Sequence, residues 1–190
     1  MDTLRAFIAI EMPGLVGEAV RRSQDALRHD GIHLRWVRPG NVHLTLRFLG
    51  DISASSVPMI REAMEKSVCR REPFSLGISR MGVFPGVKHP KVVWLGLQGQ
   101  LDFLDELYRI LSASLFEKGI PLEKRPFKGH LTIGRVKGML DAKRLEAVLL
   151  RPPPFKAENF VVNSICLFKS DLMPGGAVYT PLVQMQMNGV

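Results

Sequence analysis

The chain has 190 residues, 46% hydrophobic and 23% charged, with a net charge of +8 and a pI near 9.9. This is the composition of one globular unit able to bury a core, and it excludes a disordered chain, a collagen-like repeat and a disulfide-rich scaffold. No apolar run approaches the roughly 20 residues that span a bilayer, and the opening run 6–10 leads into Glu11-Met12-Pro13-Gly14 instead of a small-residue cleavage site, so a cytoplasmic protein with no membrane partner is expected.

Residues 4–11 predict a strand, broken by Pro13 and Gly14. Val16, Val20 and Leu27, with Ser23 on the same face, have the spacing of a helix over 15–29 that stops at Asp30-Gly31. Residues 33–38 read as extended, Pro39-Gly40-Asn41 as a turn, and 42–49 as an alternating strand ended by Gly50-Asp51. Ser55 or Ser56 caps a second helix carrying Val57, Ile60, Met64 and Val68, with Pro58 tolerated in its first turn. Short strands near 74–80 and 91–97 flank a loop at Gly82-Val83-Phe84-Pro85-Gly86. Leu101, Leu104, Tyr108, Leu111 and Leu115 mark a long amphipathic helix closed by Gly119. A strand over 129–136 follows, then a short helix capped by Asp141 with Leu145, Val148 and Leu149 inward. Arg151-Pro152-Pro153-Pro154 is a connector, 160–168 a strand, Pro174-Gly175-Gly176 a hairpin turn and 178–186 the returning strand. Helices and strands mix without a strict β-α-β rhythm, which predicts an α+β fold with antiparallel sheets in one domain spanning 1–190.

Two cysteines, Cys69 and Cys166, stand far apart without metal-ligand spacing and read as free thiols. The basic excess is +5 over residues 1–95 and +3 over 96–190, so it belongs to a folded body and not to a tail. Such a body suits a polyanion such as nucleic acid, or simply solubility.

One string occurs twice, His43-Leu44-Thr45-Leu46 and His130-Leu131-Thr132-Ile133, 87 residues apart. Each copy sits on a predicted strand, where residues two apart share a face. His43 and Thr45 therefore oppose Leu44, Leu46 and Phe48, and His130 and Thr132 oppose Leu131 and Ile133. Two copies of one parity suggest equivalent strands side by side about a pseudo-two-fold axis, with two imidazoles and two hydroxyls in one groove. Histidine titrates near 6.5, so one ring can take a proton while the other gives one. Hydroxyl donors suit phosphoryl oxygens, and the set fits in-line displacement at phosphorus without a metal. HExxH, clustered carboxylates, GxxxxGK[ST] and GxGxxG are all missing from the sequence.

The paired motifs resemble the two-histidine (2H) phosphoesterase superfamily, and within it the RNA 2′,3′-cyclic phosphodiesterases, historically named 2′–5′ RNA ligases. The resemblance extends to Arg5-Ala6-Phe7-Ile8-Ala9-Ile10, Trp36-Val37-Arg38-Pro39, Arg47-Phe48-Leu49-Gly50, Gly82-Val83-Phe84-Pro85, Val93-Trp94-Leu95-Gly96, Arg125-Pro126-Phe127-Lys128-Gly129 and Gly134-Arg135-Val136. In the tail it covers Lys169-Ser170-Asp171 and Gly175-Gly176-Ala177-Val178-Tyr179. Gly129 stands where that branch often has proline. The resemblance implies a bilobal fold, two pseudo-symmetric antiparallel sheets with outer helices around a groove. It implies metal- and cofactor-free hydrolysis of a 2′,3′-cyclic phosphate to a 2′-phosphomonoester. His43 would protonate the leaving 3′ oxygen, His130 would activate water, and Thr45 and Thr132 would bind the phosphate; the motifs alone leave the two histidine roles exchangeable.

Arg47 shares the parity of His43, so it either reaches the phosphate or is an exposed strand arginine. Arg135 has the wrong parity on a regular strand, but the family pattern places an arginine there and Gly134 permits a bulge. Phe84 either stacks on a base or joins the core. Tyr179 reads as structural, Trp36 and Trp94 as core, and His29, His33 and His89 as solvated. The expected partners are RNA with 2′,3′-cyclic phosphate ends or small cyclic nucleotides, with a monomer as the default. The competing readings are 2′–5′ ligation, which uses a 5′-hydroxyl nucleophile with the same histidines, and a non-catalytic RNA-binding module.

Overall fold

The computed structural model describes residues 3–138, 140–151, 159–174 and 176–189. Its elements are β1 (Thr3–Glu11), α1 (Gly14–His29), β2 (Arg35–Trp36), β3 (His43–Ser53), α2 (Val57–Val68), β4 (Phe74–Phe84), β5 (Val92–Gly99), α3 (Leu101–Glu117), β6 (His130–Arg135), α4 (Ala142–Leu150), β7 (Asn159–Val162), β8 (Ser164–Met173) and β9 (Gly176–Gln186). All strand pairs are antiparallel, in the order β7-β4-β5-β6-β3-β1-β8-β9, with β2 also on β6. The α+β class expected from the sequence holds.

One face of the sheet meets the helices. Val16, Val20 and Leu27 of α1, Ile60 and Met64 of α2, Leu104, Leu107, Leu111 and Leu115 of α3, and Leu145 of α4 join Ile8, Leu44, Leu95, Leu131 and Leu167 in one core. Burying such stripes is what makes these periodic sequences helical in context. Asp141 caps α4, its Oδ1 accepting from the Lys143 and Arg144 amides at 3.0 and 3.1 Å. A smaller cluster of Phe7, Ala9, Cys166 and Phe168, with Tyr179 packed on it, occupies the other face.

β3 and β6 meet through a single bridge, Leu44 opposite Leu131. This seam divides the sheet into two lobes, β3-β1-β8-β9 and β6-β5-β4-β7. The run β1-α1-β3-α2-β4 recurs as β5-α3-β6-α4-β8, so a half-turn about the seam carries β3 onto β6, β1 onto β5 and β8 onto β4. The lobes are not the sequence halves: β8 comes from the second half yet pairs with β1, and β4 comes from the first half yet pairs with β5.

Several boundaries differ from the sequence expectation. β3 does not end at Gly50-Asp51 but continues to Ser53, because Gly50 takes a φ of +71° while Ala6 still pairs with it. β4 runs through Gly82 to Phe84, in place of a loop there, since Gly82 pairs with Trp94. Neither Ser55 nor Ser56 caps α2 with its side chain; the Ser53 hydroxyl instead accepts from the Ser55 amide at 3.3 Å. The single strand expected over 160–168 is two strands, β7 and β8, separated at Asn163 and lying in different lobes. Apolar character is the same on both sides of that break, so periodicity does not reveal it. Of the two connectors, residues 152–154 and Gly175 lie outside the described residues.

Candidate active site

The seam brings the two motifs together. Leu44 faces Leu131, so antiparallel register carried one residue each way sets His43 beside Thr132 and Thr45 beside His130. Both leucines are fully buried in the core, and alternation turns the four polar side chains to the opposite face.

Both histidines are fixed in the same way. His43 Nδ1 lies 2.8 Å from the Asn41 carbonyl, and His130 Nδ1 lies 2.6 Å from the Lys128 carbonyl, each two residues upstream. A carbonyl only accepts, so each Nδ1 carries the proton and donates it, and Nε2 is left as the nitrogen that exchanges protons. The Asn41 side chain also donates to the Ala177 carbonyl at 2.8 Å, tying this turn to β9.

Each ring leans on an aromatic pair. Phe7 stacks on His43 at 4.7 Å between centroids, and Tyr179 meets His43 edge-on at 5.2 Å. Phe84 meets His130 edge-on at 5.0 Å, and Trp94 stands at 6.4 Å. Removal from water by these walls is the main cause that holds both imidazoles below the usual histidine range, opposed by the carbonyl hydrogen bonds. Arg135 presses both further down by charge repulsion, and His130 adds to this at His43. Burial lifts the Tyr179 phenol, while Arg135 pulls it back. One guanidinium that acts on His43, His130 and Tyr179 together stands over the groove.

Two β-bulges place the flanking residues. On β6, Val93 and Trp94 pair with Gly134 and Thr132, leaving Ile133 as an extra residue. The parity then flips, and Arg135 comes to the face of His130, as Gly134 was expected to permit. On β3, Ile8 and Ala9 pair with Arg47 and Thr45, leaving Leu46 as the extra residue. Leu46 and Ile133 are the same position of the two motifs.

This bulge corrects the expectation for Arg47. Arg47 does not share the face of His43: it is buried, 4% exposed, donates to the Pro121 carbonyl and pairs with Glu123 at 3.8 Å. Phe48, expected on the apolar face, turns outward, 62% exposed, with its ring 6.3 Å from Phe7.

Phe84 stands in the groove wall and stacks obliquely on Trp94 at 4.9 Å. Trp94 is half-buried in that wall and not in the core; its indole lies across Gly82, and its buried Nε1 has no hydrogen-bond partner among the described residues. Phe7, Trp94, Tyr179 and Asn41 join the site beyond the residues that the sequence motifs single out. For Asn41 and Lys128 a signal was available, the matching position two residues before each histidine. His29, His33 and His89 are exposed, as expected.

A cavity of about 660 Å³ lies between the ends of α1 and α4 and is lined by His29, Asp30, Arg144 and Arg151, not by the paired histidines. Among the described residues no group of three His, Cys, Asp or Glu side chains is placed to hold a metal ion. No helix among them is long and apolar enough to cross a membrane.

The duplication is visible to a family model as well. The model of the LigT like phosphoesterase family matches residues 10–94 and again 96–179, one copy around each motif. The chain belongs to this family. LigT-like relatives match along the whole length: the RNA 2′,3′-cyclic phosphodiesterase of Methanothermobacter thermautotrophicus is 32% identical over 94% of this chain and 96% of its own. The protein of the same name from Aquifex aeolicus is 32% identical over 100% of both chains. A crystal structure of a Thermus thermophilus protein superposes with a TM-score of 0.82 at 27% identity, covering 98% of this chain and 99% of that one. That of E. coli LigT complexed with 3′-AMP superposes with a TM-score of 0.77 at 25% identity, with the same coverage. The LigT-like fold is therefore the bilobal arrangement described above, one continuous antiparallel sheet divided at the β3–β6 seam where two separate sheets were expected.

Proposed function

We propose that this LigT-like protein hydrolyses RNA 2′,3′-cyclic phosphate ends, or small cyclic nucleotides, to 2′-phosphomonoesters by proton transfer between His43 and His130. The observation that carries this reading is the matched pair of Nδ1–carbonyl hydrogen bonds, which leaves both Nε2 atoms for proton transfer in one groove. The names of the full-length relatives support the substrate class. His130 Nε2 accepts a proton from water as the water oxygen bonds to phosphorus. The P–O3′ bond breaks in line, and His43 Nε2–H gives its proton to O3′. This direction follows the family resemblance. Thr45 and Thr132 donate to the non-bridging oxygens, and Arg135 offsets the developing charge. Phe48, exposed beside the groove, and Phe84 provide ring faces for the base. No step requires a metal.

The test is turnover of a short RNA ending in 2′,3′-cyclic phosphate with chelator present. His43→Ala and His130→Ala are each expected to lower it by about 100-fold or more. Turnover indifferent to both substitutions refutes the mechanism, and no turnover by the unsubstituted protein favours a non-catalytic RNA-binding module.

A further inference from the structure

The half-turn that equates the two histidines does not equate what stands beside them. On β1 the partner of His43 is Glu11, and on β5 the partner of His130 is Gly96. Glu11 is exposed on the groove side, where its charge helps burial lift the Cys166 thiol. Gly96 has no side chain, and the space above it is taken from the next strand. Ile78 and Met81 of β4 pair with Leu97 and Leu95, so Ser79 and Arg80 together oppose Gly96 in a bulge. The Arg80 stem lies where a β-carbon on Gly96 would be 3.2 Å away. Its guanidinium sits over the Trp94 ring at 5.9 Å, and among the described residues no carboxylate pairs with it. An exposed cation rooted on β4, two strands from His130, thus leans over Gly96 of β5, the strand next to His130. At the equivalent place beyond His43 stands an anion.

We infer that Arg80, seated on Trp94 over Gly96, binds a backbone phosphodiester of RNA beyond the reacting phosphate, so that the strand leaves the groove across β5 and β4 and not across β1. The inference rests on the cyclic phosphodiesterase reading and adds a preference for oligonucleotides over mononucleotides. Stacking on the indole holds the guanidinium in place while its N–H groups face outward. Glu11 repels the same polyanion from the other exit.

The experiment compares kcat/KM for adenosine 2′,3′-cyclic phosphate, which has no second phosphate, with that for a trinucleotide ending in 2′,3′-cyclic phosphate, across a salt series. Arg80→Ala is expected to lower the trinucleotide-to-mononucleotide ratio about tenfold and to reduce the salt slope for the trinucleotide by about one. Arg80→Lys keeps the charge and is expected to retain part of the ratio. An unchanged ratio, or equal losses on both substrates in Arg80→Ala and Arg80→Lys, overturns the inference while leaving the catalytic reading intact. A rise of the ratio in Glu11→Gln about as large as the expected fall in Arg80→Ala places the strand across β1 and also overturns it. If the wild-type protein turns over neither substrate, the catalytic reading fails and this inference falls with it.

Discussion

Gly82→Ala is a sharp test of the wall behind His130. Gly82 has an ordinary strand conformation, so alanine costs nothing in backbone strain. Its added β-carbon, however, would overlap Cζ2 and Cη2 of Trp94 and come within 2.8 Å of Cε2. The indole has Phe84 at 4.9 Å on one side and Arg80 at 5.9 Å on another, so it moves only by disturbing both. Overpacking of this kind costs about 1–3 kcal/mol, offset by about 0.4–1 kcal/mol from the stiffer unfolded chain. The net loss of roughly 0.5–2 kcal/mol corresponds to a fall in Tm of about 1–8 °C for a chain of this size. Activity falls further than stability, because Trp94 is 6.4 Å from His130 and a displacement near 1 Å costs up to about 100-fold. Thermal unfolding and kcat/KM are measured for Gly82→Ala, for Trp94→Leu and for the double variant, with Gly14→Ala, where nothing lies within 4 Å of the added carbon, as the control. The cost of Gly82→Ala should vanish in the Trp94→Leu background. A cost that persists there, or a single variant with wild-type Tm and activity, refutes the packing of Trp94 over Gly82.

Removing the charge of Arg135 (Arg135→Gln) relieves repulsion on both histidines, so both limbs of the pH profile of kcat/KM should move to higher pH; limbs that stay put contradict its place over the groove. The two rings are held below the ordinary histidine value of 6.5, so in the unfolded chain they bind protons first as the pH falls. Their neutral forms therefore cost nothing above about pH 6.5, and stability is lost as the pH drops from there through the lower folded values. Tm measured against pH should fall less steeply over that window in a His43→Gln, His130→Gln double variant. Arg47→Ala removes buried contacts to Pro121 and Glu123 and is expected to lower stability by about 1–3 kcal/mol, with a far smaller loss of kcat/KM than Arg135→Ala. The reverse order, read by denaturation and kinetics side by side, would return Arg47 to the phosphate. Phe48→Ala should raise KM for nucleotide substrates about 5- to 100-fold through lost stacking with Tm unchanged, since its ring is already 62% exposed.

The chemistry was legible because His and Thr at alternate positions mean the same thing on any strand, and the repetition made chance unattractive. The meeting of β3 and β6 followed from that repetition. What lay one step beyond the motifs was not legible. Leu46 and Ile133 look like ordinary alternating residues, yet each is a bulge, and everything after it changes face: Arg47 goes inward, while Phe48 and Arg135 go outward. Bulges are set by how a strand twists against its neighbour, here β1 and β5, which sequence parity does not contain. Trp94 and Tyr179 look like packing residues in the sequence because aromatic residues on strands usually pack. Here they do pack, but against the histidines. The division of 160–168 into β7 and β8 was hidden for a similar reason: both pieces are apolar, and only the topology sends them to different edges.

The crossing of β4 and β8 between lobes has a mechanical consequence. At the seam a single backbone bridge joins β3 to β6, which on its own is a weak weld. The chain, however, passes from β3 in one lobe to β4 in the other, and returns from β7 to β8. Each lobe is thus completed by strands that the other half of the chain supplies. The groove is able to widen at its floor without the lobes parting, and neither lobe is able to melt without exposing the hydrophobic core it shares with its neighbour. The protein should therefore breathe at its catalytic line and yet unfold in one step. Amide exchange at Leu44 and Leu131 should outpace that at the adjoining pairs of β1 and β5, while thermal unfolding remains a single transition.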